Sequence, residues 1–313
     1  VGPNSLVYGT EDDLRKGLSS IETYAKPERV FIENNCSVSL VGDDVQGIAD
    51  QMDLPWPVYA MDSGGMKGSF EAGYSAASLR IEKEMKTKEK IPVSVNVLGL
   101  STVHMKGRED AEEIRRLLSL CGIRVISMPG GGSSWEDIMD APSASLNIVV
   151  RDELGLSLAK QMERDFGTPY MSCGLPYGTD GTVAWLSEII EKLGAGELTR
   201  ASHEAAKLKE FLLRKGNNLE SLWGPLWFDA VLISAPPSEA LGIAEAIRSE
   251  WIDAARLCIH AQCETKKSTP AADAIRVVMK NEKEIAKDYE DWQGGLVLSS
   301  SHETHLLLRM GRS

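Results

Sequence analysis

The feature of this chain that most constrains its fold is a regular alternation of short apolar segments with longer amphipathic ones. The segments Arg29–Glu33, Val93–Gly99, Leu146–Val150 and Phe228–Ser234 have the length and the β-branched content of buried strands. Longer segments such as Glu11–Tyr24 place their apolar residues at helical spacing. Strands that alternate with helices form parallel sheets with right-handed crossovers. We therefore expect an α/β protein built from Rossmann-like parallel sheets.

The 313 residues are too many for one small core and suffice for several α/β domains. We predict a first Rossmann-like domain over residues 1–88, a second over 89–198, and a bridging helix with a third domain over 199–313. The polar, lysine-rich stretch Lys86–Pro92 is the predicted linker between the first two. Ligands bind at the carboxyl ends of parallel strands, so three such domains predict a central cleft. Because the chain starts at Val1 rather than Met, we expect the N-terminal part of the first domain to be missing.

The charge balance argues against two classes of partner. The chain has 46 acidic and 34 basic residues, a net charge of -12, whereas nucleic-acid and anionic membrane surfaces need a basic patch. No apolar run approaches the roughly 20 residues of a membrane span. The five cysteines are odd in number and widely scattered, unlike a disulfide framework. This pattern indicates a reducing cytoplasm, where a special cysteine is more often a ligand or a reactive thiol.

Cys36 is the residue that we single out as a metal ligand. It follows a predicted strand and lies in a predicted loop, Asn34–Gly42, ahead of a helix opened by Asp43 and Asp44. Backbone N–H groups near a helix start stabilise a thiolate, which is the form that binds iron. The alternative is a small buried residue in a turn. Asp43 and Asp44 are either catalytic acids or, as we prefer, carboxylates stabilised by the helix dipole.

Other loops that follow predicted strands also carry candidate residues. The run Gly130–Ser134 either cradles a phosphate at a helix N-terminus or forms a turn whose serines cap the helix. It has neither the P-loop ending nor the GxGxxG spacing. Cys173 either touches a cofactor or lies in a tight turn. Cys258, His260 and Cys263 are potential soft-metal ligands, but no second pair supplies zinc geometry.

The residues around Cys36 carry a family resemblance. The run Val7-Tyr-Gly9, the helix after it, and Asn35-Cys-Ser-Val-Ser-Leu-Val-Gly-Asp-Asp44 resemble the nitrogenase component 1 family. That family includes the nitrogenase subunits, their cofactor-assembly scaffolds, and the dark-operative protochlorophyllide and chlorophyllide reductases. The similarity weakens after about residue 200, and before that point it continues in the segments Asp62–Gly65, Asn96–Gly99, Gly130–Ser134, Leu146–Val149, Thr168–Tyr170 and Pro176–Gly178.

The resemblance implies three Rossmann-like domains around a cleft and a homologous or identical partner subunit. It also implies an iron–sulfur cluster at the subunit interface, fed with electrons by an ATP-dependent iron protein. Cys36 matches a cluster-ligating cysteine of the family, while the other ligand cysteines of the family lie upstream of the match at Val7. We therefore expect a 4Fe-4S or related cluster that is shared with the partner subunit. We also expect the C-terminal end of the third domain to be truncated at Ser313.

One position departs from the nitrogenase pattern. In nitrogenase a cofactor-ligating cysteine follows the Leu-Asn-rich strand, and Arg151 takes approximately that place here. No histidine matches the other cofactor ligand. The chain is therefore not expected to be the catalytic subunit of a true nitrogenase. We assign no catalytic residue, and the residues expected to contact a cofactor or substrate in the cleft are Gly64, Gly65, Gly130, Gly131, Ser133, Arg151 and Cys173.

The leading interpretation is a cytoplasmic oxidoreductase subunit that receives electrons from an iron protein. The electrons would then reduce a substrate or cofactor in the cleft. One alternative is a non-catalytic scaffold that holds a metal cofactor during assembly. The other is a metal-free protein that binds a small molecule, since one fold hosts many functions.

Overall fold

The structure of the chain is a computed structural model that describes residues 9–61, 64–66, 68–224, 227–263, 265, 267–277, 286–287, 289, 292 and 295–311. The chain separates into two compact units, Val1–Glu84 and Met85–Ser313. None of the helices in the described ranges has both the length and the apolar character that a membrane crossing requires.

The first unit contains a two-stranded parallel sheet. In it, β1 (Val30–Glu33) pairs with β2 (Val58–Met61), so that Val30 lies opposite Val58. The helices of this unit are α1 (Glu11–Tyr24), α2 (Cys36–Val41), α3 (Val45–Asp50) and α4 (Phe70–Glu82). Leu18 of α1 packs with Ala49 and Trp56 in a small core. The apolar face predicted for α1 is therefore buried against its own unit.

The expected loop over Asn34–Gly42 is wrong, because α2 forms inside it. Asn35 caps α2 by accepting a hydrogen bond from the Val38 N–H group at 3.0 Å. Gly42 ends the helix in the left-handed conformation, with a φ of +80°. Asn at the start and Gly just past the end are the residues that helix ends prefer. A helix of 6 residues is too short for its periodicity to stand out in the sequence.

The second unit contains two four-stranded sheets, of which the first has the order β4-β3-β5-β6. Its strands, all parallel, are β3 (Ile91–Leu98), β4 (Arg124–Ser127), β5 (Ala144–Val149) and β6 (Tyr170–Ser172). Its helices are α5 (Gly107–Leu120), α6 (Trp135–Asp140), α7 (Asp152–Phe166) and α8 (Thr179–Leu193). The inner strands β3 and β5 are almost continuously buried, as expected for a parallel sheet with both faces covered.

The strand order of this sheet reverses between β3 and β5. From β3 the chain goes to β4 on one side, and β5 then pairs with β3 on the other side. Open parallel sheets bind ligands at the carboxyl ends of the strands beside such a reversal. The loops that begin at Gly99 and Arg151 therefore occupy the position where a ligand is expected.

The second sheet of this unit has the order β10-β7-β8-β9 and is also parallel. Its strands are β7 (Trp227–Ala235), β8 (Asp253–Ala261), β9 (Ala274–Val277) and β10 (Leu296–Leu298). The helices are the long α9 (Thr199–Trp223), α10 (Pro237–Ala246), which continues as a π-helical turn over Ile247–Trp251, and α11 (Ser301–Arg309). Val231, Ile233, Leu257 and Ile259 centre the core of this sheet. The predicted α/β class with parallel sheets is confirmed.

Two expectations near the C-terminus need correction or extension. The sequence of Ala271–Glu290 predicts a helix. This prediction is wrong at its start, because β9 forms there and pairs with β8; residues 278–285, 288 and 290 lie outside the described residues. Sequence reasoning also missed α11, which begins with a capping box between Ser300 and Glu303. The domain boundary at residue 198 and the central cleft stay predictions.

Candidate functional site

The Cys36 turn is the first part of the candidate site. Cys36 is the first residue of α2, directly after the Asn35 cap, and its side chain is exposed. The strand β1 ends at Glu33, so the thiol lies at the carboxyl end of a parallel strand, as predicted. In this position the thiol remains accessible to a group that comes from outside the described chain.

The predicted residues Gly64 and Gly65 lie against the Cys36 turn. A Cβ atom on Gly64 would come within 2.4 Å of Ser39 Oγ, so only glycine allows this close approach. A Cβ atom on Gly65 would lie 3.5 Å from Cys36 Sγ. The structure therefore brings Cys36, Gly64 and Gly65 together. Asp62 and Ser63 of the same motif lie outside the described residues.

The donor set around Cys36 is incomplete for a metal. Throughout the described ranges, no group of three or more His, Cys, Asp or Glu side chains could hold a metal ion. Cys258, His260 and Cys263 are among the described residues, so they do not form such a group. An iron–sulfur cluster is commonly held by four thiolates. The Cys36 thiol is exposed, and Gly65 places no side chain beside it. These features fit a single ligand of a shared cluster.

The carboxylates of Asp43 and Asp44, which follow α2, accept hydrogen bonds within the first unit. Asp44 caps α3 by accepting a hydrogen bond from the Gly47 N–H group at 2.9 Å. Asp43 accepts hydrogen bonds from the Thr10 N–H group at 2.5 Å and from the Thr10 hydroxyl at 2.7 Å. These bonds lower the pKa of Asp43. Both side chains have structural partners, in line with the preferred interpretation of their sequence.

The glycine-rich loop follows β4 in the second unit. Gly130 has a φ of +75°, and a Cβ atom on Gly131 would come within 3.0 Å of Leu100. Ser133 Oγ accepts a hydrogen bond from the Met128 N–H group at 2.8 Å. Ser134 forms a capping box with Asp137 at the start of α6. Both serines are therefore engaged in the turn, and anion binding by Gly130, Gly131 and Ser133 stays a prediction.

Arg151 lies at the strand-order reversal, directly after β5, and is only 4% exposed. Its Nε atom donates to Glu239 Oε1 at 2.7 Å, and its Nη1 atom donates to the Gly99 carbonyl at 3.3 Å. Gly99 has a φ of +92°, and a Cβ atom there would come within 2.6 Å of the Arg151 carbonyl oxygen. The position where the resemblance expects a cofactor ligand is thus closed by an ion pair within the chain.

Further polar groups surround this ion pair, which we call the Arg151 cluster: Asp110, Arg151, Glu153, Tyr177, Ser238 and Glu239. Ser238 Oγ accepts from the Asp152 N–H group at 3.1 Å and donates to Glu153 Oε2 at 2.6 Å. Burial raises the pKa of Asp110, of Glu153 and of the Tyr177 phenol. Tyr177 belongs to a motif singled out in the sequence, whereas no pattern pointed to Glu153 or Glu239.

Cys173 follows β6, as predicted, and continues the parallel ladder through a hydrogen bond from its N–H group to the Val149 carbonyl at 3.2 Å. It lines a cavity of about 670 Å³ together with Trp185. Burial raises the pKa of its thiol to about 12. The thiol is therefore protonated at neutral pH unless a metal binds it, and its contact with a cofactor stays a prediction.

The chain thus has two units with parallel sheets, with an exposed cysteine and glycine turns at the carboxyl ends of strands, where parallel sheets bind ligands. A family model described as nitrogenase component 1 type oxidoreductase matches residues 2–312. The chain belongs to this family.

Individual relatives agree with that assignment. The nitrogenase iron-molybdenum cofactor biosynthesis protein NifE of Clostridium pasteurianum is 30% identical over 221 residues, which cover 69% of this chain and 46% of the relative. A light-independent protochlorophyllide reductase subunit of Chloroherpeton thalassium is 26% identical over 231 residues, 71% of this chain and 42% of the relative. The chain therefore spans less than half the length of these two curated relatives.

A solved structure supports the fold. The structure titled "Nitrogenase Cp1 at pH 5" matches with a TM-score of 0.68 at 22% sequence identity, over 99% of this chain and 65% of that one. This likeness includes residues of both units of the chain.

Proposed function

We propose that this chain is a subunit of a nitrogenase-like iron–sulfur oxidoreductase. In this proposal Cys36 supplies one thiolate to a cluster shared with a homologous or identical partner subunit. The bound cluster would accept electrons from an ATP-dependent iron protein and pass them to a substrate or cofactor. The observation that carries the proposal is the exposed Cys36 thiol at the start of α2, in a chain of the nitrogenase component 1 type family.

The residues around Cys36 have separate roles in this proposal. The Asn35 cap fixes the start of α2 and therefore the direction of the neighbouring thiol. Gly64 and Gly65 let a loop approach the helix without a side chain between them. Burial between subunits would keep water away from the cluster and tune its potential.

The first test is loss of the thiol. The chain is purified without oxygen together with its partner subunit, and its iron content and visible spectrum are measured. Cys36→Ala should lose the cluster, whereas Cys258→Ala, on β8, should retain it. A Cys36→Ala protein with full visible absorbance and full iron content would contradict the proposal.

A second test leaves the thiol in place. In Gly65→Ala the new methyl group would touch Cys36 Sγ at an ordinary contact distance of 3.5 Å. The fold should tolerate this change, but the methyl group should cover one side of the sulfur atom. We expect less iron per chain and a shifted visible spectrum. A spectrum and iron content equal to those of the unaltered chain would show that Gly65 does not face the cluster.

A second candidate function is a scaffold that holds a metal cofactor during assembly. It is favoured by the similarity to NifE and by Arg151, whose guanidinium group is committed to Glu239 at 2.7 Å. The two functions differ in turnover. Sustained consumption of reductant by the complex, in the presence of an iron protein and MgATP, would exclude the scaffold. A cluster that is reduced once, without further consumption, would favour it.

A further inference from the structure

A cavity of about 350 Å³ lies in the second unit between α5, α8 and α9, whereas the proposed cluster ligand belongs to the first unit. Its size is within the range of small-molecule sites, about 300–1,000 Å³. Its walls are mostly apolar and include Ile114, Leu175, Leu186, Leu208, Leu212 and Trp251. Leu208 and Leu212 are half exposed, so the apolar wall continues to the surface along α9. This combination suits a ligand with an apolar body.

One part of the wall is aromatic. The rings of Tyr177 and Trp251 meet edge to face, with their centroids 6.4 Å apart, and both residues line the cavity. Burial raises the pKa of the Tyr177 phenol, so it stays neutral at physiological pH. Aromatic faces attract both other rings and cationic groups. A flat, aromatic ligand therefore has partners on this side of the cavity.

The charges that line the cavity favour a cation. Arg116 is paired with both Glu113, at 2.7 Å, and Glu204, at 2.6 Å. Asp110 also lines the cavity, and among the described residues its carboxylate forms no close ion pair, although the charges of Arg151 and Lys106 act on it from further away. Three carboxylates thus line the cavity beside the Arg116 guanidinium group, and Asp110 is the one that Arg116 does not pair with. A ligand with a positive charge would complement it, whereas an anion would be repelled.

We propose that this cavity is a binding site for a small arylalkylamine, that is, an aromatic molecule carrying a basic nitrogen. The ammonium group pairs with Asp110, and the aromatic body packs between Leu208, Leu212 and Trp251. The site shares no residue with the Cys36 turn, so it can be present whether or not the chain holds a cluster.

Three indole compounds that differ in charge test the proposal: tryptamine, tryptophol and indole-3-acetate. Their binding to the full chain is measured by isothermal titration calorimetry. We expect tryptamine to bind at least about tenfold more tightly than tryptophol, because a tenfold change corresponds to a single good interaction. Indole-3-acetate should bind most weakly. Equal affinity for all three, or no binding of tryptamine at millimolar concentration, would overturn the proposal.

Two variants separate this site from general attraction of a cation to an acidic protein. Asp110→Asn should remove the preference for tryptamine over tryptophol. The matched control Glu112→Gln changes the net charge equally at an exposed position of the same helix and should keep the preference. Ala205→Trp should fill the cavity and abolish binding of both compounds. If tryptamine binds the Ala205→Trp and Asp110→Asn proteins as it binds the unaltered chain, the site lies elsewhere and the proposal is wrong.

Discussion

The Cys36 turn and the Arg151 cluster are both built at the carboxyl end of a parallel strand, yet they are opposite in character. Cys36 is exposed, and the neighbouring Gly65 contributes no side chain beside its sulfur atom. Arg151 is 4% exposed, and its guanidinium group bonds to Glu239 and to the Gly99 carbonyl. The first position is open to a group from outside the chain, whereas the second is closed by the chain itself.

The difference shows that strand-end position alone does not decide whether a residue binds a ligand. Parallel sheets bring functional side chains to their carboxyl edges. Whether such a side chain is available depends on its neighbours, which here come from α10 for Arg151 and from the Gly64–Gly65 turn for Cys36. The predictions for Arg151, Glu153 and Cys36 below each test one side of this contrast.

The largest effect is expected from Arg151→Leu. This change takes the close guanidinium partner from the partly buried Glu239 carboxylate and leaves it the more distant His104, whose Nδ1 atom lies 3.9 Å from Glu239 Oε1. Removing one member of a buried ion pair costs about 3–5 kcal/mol, and since Glu239 is 22% exposed we expect about 3 kcal/mol. Urea denaturation of the purified chain measures the free energy of unfolding.

The double variant Arg151→Leu with Glu239→Leu is the control for this change. It removes both charges, so it should recover most of the lost stability. A loss below about 1 kcal/mol in the single variant, the range of an exposed ion pair, would mean that the Arg151 cluster is open to solvent. The proposed contrast with Cys36 would then fail.

Glu250 provides the second largest effect, because it closes the start of α8 in the same unit. Its carboxylate accepts hydrogen bonds from the N–H groups of Thr179, Asp180 and Gly181, at 2.7, 2.8 and 3.1 Å, and from the Thr179 hydroxyl at 2.6 Å. Hydrogen bonds to a charged group are worth about 1.5–3 kcal/mol. We expect Glu250→Ala to cost about 2 kcal/mol.

Amide hydrogen exchange tests whether the effect of Glu250→Ala is confined to the start of α8. The amides of Thr179, Asp180 and Gly181 should exchange faster in Glu250→Ala, since each loses its acceptor. The exposed Glu245→Ala, on α10, is the matched control and should leave these amides unchanged. Unchanged exchange in Glu250→Ala would show that α8 starts without the help of this carboxylate.

Much of the fold could be predicted from the sequence, because periodicity and buried strand composition are local signals. The helix α1 and the strands β3 and β5 follow from the spacing of their own apolar residues. The misses have a different physical origin. α2 depends on two caps around a short segment, and β9 forms because its neighbour β8 offers an edge to pair with.

The residues of the candidate site also divide into those that the sequence indicates and those that only the tertiary structure reveals. Cys36 was found in the sequence from its place between a recognisable strand and a helix, and Arg151 from its place in the family resemblance. Glu239 and Glu250 were not, because their roles depend on tertiary contacts with residues far away in the chain. A single sequence carries no signal for such contacts, and only the packing of α10 against the strand ends reveals them.

A smaller effect concerns the pH dependence of stability. Glu153 is half-buried, its Oε1 atom has no hydrogen-bond partner among the described residues, and burial raises its pKa above the ordinary value of 4.5. The folded chain therefore holds this proton more tightly than the unfolded chain does. Protonation of Glu153 therefore stabilises the folded chain. This contribution to the free energy of unfolding is fully present at pH values below the ordinary pKa, and it is lost as the pH rises through the folded pKa.

Glu153→Gln removes this dependence, since glutamine does not ionise. We expect the free energy of unfolding of the variant to rise relative to that of the unaltered chain between about pH 4 and pH 8, measured by urea denaturation at both values. Glu163→Gln, at an exposed position of α7, is the control and should follow the unaltered chain. If Glu153→Gln loses stability relative to the unaltered chain as pH rises, the carboxylate is stabilised in its charged form and the cluster is less closed than we infer.

The smallest effect is expected from Cys36→Ser in the chain without metal. The side chain is exposed, and substitutions at exposed positions usually change stability by less than about 0.5 kcal/mol. Cys121→Ser is the matched comparison, because Cys121 is 1% exposed in the core of the second unit and a buried hydroxyl there costs about 1–3 kcal/mol. A cost for Cys36→Ser as large as that for Cys121→Ser would show that the thiol supports the fold. A negligible cost, together with loss of iron from the complex, would show that this thiol is retained for its ligand and not for its packing.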